Sequence, residues 1–149
     1  MNTYYLIIKM KLKEIKLYYQ FIQNVAQMSY CERLKVGAVI VKGSSILSYG
    51  YNGSAIGDNN ICELDGVTRP GIIHAEKNAI YKCARSHETT EGASIFVSHS
   101  PCMECAVAIV QCGIKEVYYV TPYRDTAPIE YLVSKGIEVH QYSNIADYL

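Results

Sequence analysis

Tryptophan is absent from this 149-residue sequence, phenylalanine occurs only twice, and no net charge remains once 14 Lys and Arg are set against 14 Asp and Glu. A chain without a broad positive field cannot gather a polyanion, so no nucleic-acid polymer is expected as a partner and a small substrate fits better. Long apolar runs are missing too. The stretch 4–8 is cut short by Lys9, Lys11 and Lys13 and has no small-residue cleavage site after it, so no membrane partner is expected. With no address signal, the expected location is the cytoplasm, or a host's cytoplasm if the gene is viral. Internal repeats, low-complexity tracts and domain linkers are also lacking.

What is present is apolar and tyrosine-rich: half of the residues are hydrophobic, 19% are charged, and there are 14 Tyr. That is enough for one sizeable core and one domain, expected over residues 14–149 behind a leader of uncertain structure at 1–13. The tyrosines suit base stacking or subunit interfaces, although ordinary core packing accounts for most of them. Apolar positions recurring every three or four residues predict a helix over 14–28. A β-branched run at 36–41, a Lys42-Gly43-Ser44-Ser45 turn and a second run at 46–51 predict an antiparallel hairpin. Residues 52–73, rich in Gly, Asn and Asp and without a sustained period, read as a long functional loop. Beyond it, helices near 74–84, 101–112 and 129–134 alternate with strands at 94–97, 117–121 and 137–140. Such alternation predicts an α/β fold whose sheet is parallel in its second half and covered on both faces.

Two short motifs carry chemistry. His74-Ala75-Glu76 and Pro101-Cys102-Met103-Glu104-Cys105 offer one imidazole and two thiols, a donor set that suits zinc and leaves a fourth tetrahedral position open for catalysis. Cys102 and Cys105 are spaced to share a helix face, with Ser100 as the expected cap and Pro101 as the first helical residue. His74 and Glu76 diverge on a regular helix, so both reach one ion only if His74 is the non-helical cap and Glu76 lies in the first turn. Glu76 is then placed to move protons for a water activated at the ion. Separately, a C-x-x-C pair or an H-x-E triplet says little; together they match the H-x-E…P-C-x-x-C signature of zinc-dependent deaminases.

The six cysteines are an even number, but a chain with this core needs no covalent staples, and a C-x-x-C with a distant His favours metal and a reducing compartment over disulfides. Cys83 and Cys112 read as small core residues. His87 reads as a loop residue, His99 as a strand end near the site and His140 as a strand edge.

Beyond the zinc motifs, residues 30–141 resemble the deoxycytidylate deaminases of the cytidine deaminase superfamily. The resemblance rests on Val36-Gly37-Ala38-Val39-Ile40-Val41, Gly50-Tyr51-Asn52-Gly53-Ser54, His74 through Ile80, and Gly113-Ile114-Lys115-Glu116-Val117. It implies a three-layer α/β/α cytidine deaminase-like fold with a five-stranded mixed sheet, one catalytic Zn2+, and hydrolysis of dCMP to dUMP and ammonia in support of thymidylate synthesis. By the same resemblance Asn52 would bind the deoxyribose, Ala75 and Ser100 would frame the pyrimidine, and Tyr123 and Arg124 would sit near base and phosphate. It further implies a homo-oligomer, with a hexamer favoured, and regulation by dCTP and dTTP, with Mg2+ accompanying the triphosphate. Arg33, Lys35, Tyr51 and Gly53 are the candidate effector residues. Some relatives hold a second, structural zinc; Cys31 and Cys62 match two of its ligands, and the third, a His, has no counterpart here. Two other readings remain open: a different nucleoside or nucleobase deaminase of the superfamily, and a catalytically silent, zinc-stabilised nucleotide-binding module.

Overall fold

The computed structural model describes residues 10–149. Its first helix, α1 (Leu12–Ala26), buries Ile15, Tyr18, Tyr19, Ile22, Val25 and Ala26, the stripe that the apolar period marks. The helix therefore begins two residues inside the expected leader, whose residues 1–9 lie outside the described residues. Strands β1 (Gly37–Lys42) and β2 (Ser45–Tyr51) form the antiparallel hairpin, turning at Gly43, which takes the left-handed φ of 60° that glycine tolerates.

The segment expected to be loop is not without regular structure. It carries a two-stranded ribbon, β3 (Glu63–Leu64) and β4 (Val67–Thr68), which turns on Asp65 and Gly66 at φ 52° and 76°. Asp-Gly is the dipeptide that a tight hairpin turn demands, so this signal was present in the sequence. The ends of the excursion are held together by Gly53 and Ile73, each donating its N–H to the other's carbonyl at 3.0 and 2.8 Å.

After it come α2 (Ala75–Ala84), β5 (Ser94–His99), α3 (Met103–Gln111), β6 (Glu116–Thr121), α4 (Ala127–Ser134) and β7 (Glu138–Gln141). A short α5 (Tyr142–Ile145) and a 3-10 turn, Ala146–Tyr148, follow; neither was expected. The sheet order is β2-β1-β5-β6-β7, with β1 antiparallel to both neighbours and β5, β6 and β7 parallel. This is the expected three-layer, five-stranded mixed sheet.

Alternation along the strands divides the core. Ala38, Ile40, Ile95, Val97 and Val117 face α2, α3 and α4, packing on Ala75, Ala79, Ala106, Ile109 and Leu132. Val39, Val41, Phe96 and Tyr118 face α1 and α5. On that second side Phe96 stacks on Tyr118 with centroids 4.3 Å apart and meets Tyr18 and Tyr19 at 5.3 Å each, so part of the tyrosine surplus is core. His140, expected at a strand edge, is buried with its ring stacked on Tyr118 at 4.8 Å. Cys83 is buried as expected, and Cys112 is half-buried. Among the described residues no helix is long and apolar enough to cross a membrane.

One glycine fixes the geometry that matters most. A Cβ at Gly50 on β2 would lie 2.6 Å from both Ala75 O and Ala79 N, so only the absence of a side chain lets the backbone of α2 lie against the hairpin. That close approach sets the position of the helix whose first turn holds Glu76.

Candidate metal centre and substrate cleft

Two helix N-termini meet at the carboxyl end of β5. His74 is the extended cap of α2, at φ −70° and ψ 155°, and Glu76 follows in the first turn, the only arrangement that turns both side chains to one point. Cys102 is the extended cap of α3, at φ −72° and ψ 173°, and Cys105 is in the first turn of that helix. The expected cap at Ser100 is thus two residues early. The reason lies in the fold: the Ser100 N–H bonds Thr121 O and its hydroxyl accepts the N–H of Tyr123 at 2.9 Å, so Ser100 ties β5 to the turn after β6.

The three donors converge. His74 Nδ1 lies 3.4 Å from Cys102 Sγ and 3.4 Å from Cys105 Sγ, and all three ligand atoms lie within 4.8 Å of one another. Tetrahedral zinc, with nitrogen at about 2.0 Å and sulfur at about 2.3 Å, sets such donors roughly 3.5 Å apart. The residues fit the ion, and the N-terminal ends of both helices favour thiolates there.

Protonation in the metal-free chain is lopsided. The Cys102 thiol is held down to about 3 by hydrogen bonds from Cys105 and then His74. Cys105 is driven the opposite way by the same bond to Cys102 and by burial. The pair shares a proton that a divalent cation would displace. His74 is raised, chiefly by its bond to Cys102. Glu76, 4% exposed, is raised by burial, and its carboxyl is hydrogen-bonded to Cys105.

These groups open onto a cleft of about 430 Å³ that is also lined by Asn52, Ala75 and Tyr123. Asn52 is rigidly aimed: Oδ1 accepts the Val36 N–H at 2.9 Å and Nδ2 donates to Leu34 O at 2.7 Å, while its backbone carbonyl accepts the Ser29 hydroxyl at 2.8 Å. One Nδ2 hydrogen and one Oδ1 lone pair remain for a ligand. Tyr123, its hydroxyl pushed up to about 12 by burial, stands beside His99 with centroids 5.7 Å apart. Ser100 is buried and does not line the cleft, and Arg124 lines a neighbouring hollow with Pro101 and Met103.

The four candidate effector residues separate. Tyr51 and Gly53 line a second cavity of about 240 Å³ together with Lys82. Arg33 lines the first cleft, with Thr68 and Ile72 from the excursion, and Lys35 lines neither cavity. Sequence reasoning missed Glu63, Thr68 and Ile72 as cleft residues because it read no structure into 52–73.

The expectation against disulfides is corrected at one pair. Cys31 and Cys62 are joined, with Cα atoms 5.0 Å apart, where the excursion folds back on the segment before β1. Glu63 sits beside them, and the three would form a cysteine-cysteine-carboxylate cluster if the bond were opened. The bridge lies in the wall common to both cavities.

Residues 12–121 match the profile described as the cytidine and deoxycytidylate deaminase zinc-binding region. ComE operon protein 2 of Bacillus subtilis is 40% identical over 124 residues, covering 78% of this chain; the match spans 65% of that longer protein. Deoxycytidylate deaminase of Enterobacteria phage T4 is 34% identical over 159 residues, covering 77% of this chain and 82% of the phage protein. Among solved structures, the dCMP deaminase of cyanophage S-TIM5 in complex with dCMP and dUMP superimposes with a TM-score of 0.86 at 43% identity, covering 89% of this chain and 98% of that one.

Proposed function

Because this chain belongs to the cytidine and deoxycytidylate deaminase family, we propose that it hydrolyses dCMP to dUMP and ammonia and so supplies dUMP for thymidylate synthesis. The observation that carries the reading is the triangle of His74 Nδ1 and two sulfurs, with a buried Glu76 against it, at the base of a cleft that also holds an aimed Asn52.

The three ligands would hold zinc, which supplies, when bound, the Lewis acidity that makes a water molecule a nucleophile at neutral pH. The remaining work falls to the chain. Glu76 takes one proton from the water that attacks the carbon bearing the exocyclic amine and passes it to the ring nitrogen, then takes the second proton from the newly added hydroxyl and passes it to the departing amine, so that ammonia leaves and a carbonyl remains. Its burial keeps the carboxyl ready for both directions of transfer. Asn52 offers its free amide hydrogen to the sugar, and the Ala75 backbone, inside the first turn of α2, frames the base. Ser100 acts indirectly by holding the backbone of Tyr123, whose ring closes one side of the cleft.

The reading extends to regulation. The cavity lined by Tyr51, Gly53 and Lys82 is a candidate for a dCTP or dTTP effector with Mg2+. Exposed Tyr81 on α2 and Met103 and Val107 on α3 support a homo-oligomer, with a hexamer favoured. Thiolate ligands suit a reducing cytoplasm, in which the Cys31–Cys62 bridge would open to two thiols beside Glu63.

Ammonia release by purified, zinc-loaded protein, measured side by side on dCMP, deoxycytidine, CMP and guanine, tests the activity. Preference for dCMP supports the proposal; preference for a nucleoside or a base, or no turnover at all, removes it. Repeating the dCMP arm with dCTP plus Mg2+, and sizing the protein by light scattering, tests regulation and assembly.

A further inference from the structure

Resting on the dCMP reading, we infer that Arg33 anchors the 5′-phosphate, so that nucleotide is selected over nucleoside by the segment before β1 and the β3–β4 ribbon rather than by the Tyr123–Arg124 turn. Apart from the metal ligand His74, Arg33 is the one cationic side chain among the described residues that line the cleft. Arg124, the other candidate, lines an adjoining hollow on the far side of Cys102 and Tyr123, which the two share.

The cleft is lined by a group suited to each part of a nucleotide: Ala75 and Glu76 beside the three donors, Asn52, and Arg33. Asn52 is held by the carbonyl of Leu34 and the N–H of Val36. Arg33 is the residue before Leu34, so the segment before β1 that aims the sugar contact also carries the guanidinium.

The ribbon presents Arg33 for this role. Glu63 Oε1 accepts the N–H groups of Glu32 and Arg33 at 3.0 Å each, and Oε2 accepts that of Glu32 at 3.2 Å. Those bonds direct the Glu63 carboxylate at the backbone, and they fix the main chain of Arg33. One guanidinium nitrogen, Nη1, donates to Thr68 Oγ1 at 3.5 Å, which leaves the rest of the fork for two phosphate oxygens. The Cys31–Cys62 bridge joins the same two segments two residues before Arg33 and one before Glu63. A dianion entering beside the buried Glu76 needs a counter-charge, and this is the place where the fold supplies one.

The test compares dCMP with deoxycytidine, which lacks only the phosphate, in zinc-loaded wild type, Arg33→Ala, Arg33→Lys and Arg124→Ala. Losing a charged, forked contact should raise KM for dCMP roughly 10- to 100-fold with a smaller change in kcat, and the ratio of dCMP to deoxycytidine efficiency should fall by the same factor. Arg33→Lys should recover part of that ratio, while Arg124→Ala should keep it. Equal losses on both substrates in Arg33→Ala would make the residue structural and overturn the inference, as would a collapse of the ratio in Arg124→Ala alone. A wild type that ignores dCMP would remove the parent reading as well, which separates the two failures.

Discussion

His74 and Cys102, 28 residues apart in sequence, hold the same station in successive helices: each is an extended N-cap, and their donor atoms lie 3.4 Å apart. Each cap is followed within one turn by the second functional group of its helix, Glu76 on α2 and Cys105 on α3. The site is therefore two copies of one local device brought tip to tip across β5, and its chemistry depends on where those helices start.

Glu76→Gln should keep zinc and cut deamination by roughly 10²- to 10⁴-fold, the usual reach of general acid–base catalysis. A second effect concerns the metal-free protein. Burial raises the Glu76 pKa above its unfolded value, so its contribution favours the fold at low pH and is lost as pH rises through the raised value. Glutamine does not titrate, and metal-free Glu76→Gln should melt above metal-free wild type at neutral pH. Zinc content, ammonia release and calorimetry check the three parts, and an unchanged turnover rate would strip Glu76 of its role.

Zinc retention should weaken on acidification. His74 must be neutral to ligate, and in the metal-free chain its pKa is raised, first by the bond to Cys102. Protons therefore compete from above the ordinary histidine range downward, and affinity should fall steadily as the pH is lowered through that range. Competition with a chromogenic chelator reads this out; a flat profile over that window would contradict it. Cys102→Ser should lose zinc and thermal stability together.

Gly50→Ala should both destabilise and slow the protein. The new methyl would press on Ala75 O and Ala79 N at 2.6 Å, backbone atoms that move only with the whole of α2. Overpacking of this kind costs about 1–3 kcal/mol. Displacing α2 also displaces His74 and Glu76, so kcat should drop in protein that is still folded at the assay temperature. Thermal melting alongside steady-state kinetics separates the two effects.

Thiol counting checks the covalent link. Unfolded, zinc-stripped chain kept from reductant should titrate four thiols, those of Cys83, Cys102, Cys105 and Cys112. Six should appear after reduction. Six before reduction would return Cys31 and Cys62 to the free state. Replacing both with serine should cost about 3–4 kcal/mol, the entropy expected for a closure of 31 residues.

Much of this protein was legible in the residues. The helices and strands of the second half showed themselves by apolar period, and the three donors that converge, His74, Cys102 and Cys105, by two motifs that are informative only together. What escaped depends on distant segments meeting. Nothing local announces that Cys31 reaches Cys62, or that Glu63 folds back to cap two N–H groups before β1. Arg33 reads as a candidate effector residue in the sequence because the ribbon that brings it to the cleft is not visible there. The Asp65-Gly66 turn was readable but stood among so many loop-forming residues that it did not stand out. The cap of α3 was misplaced because Ser100-Pro101 satisfies the local rule, whereas the hydroxyl is claimed by the turn at Tyr123.

The paired hydrogen bonds between Gly53 and Ile73 close the excursion at its neck. Changes confined to the exposed first part of the excursion need not reach the residue that follows the neck, His74, whereas changes at Cys62 or Glu63 reach the segment before β1. Exchanging residues 54–60 would reshape the second cavity, which they line in part, while His74, Cys102 and Cys105 keep their places.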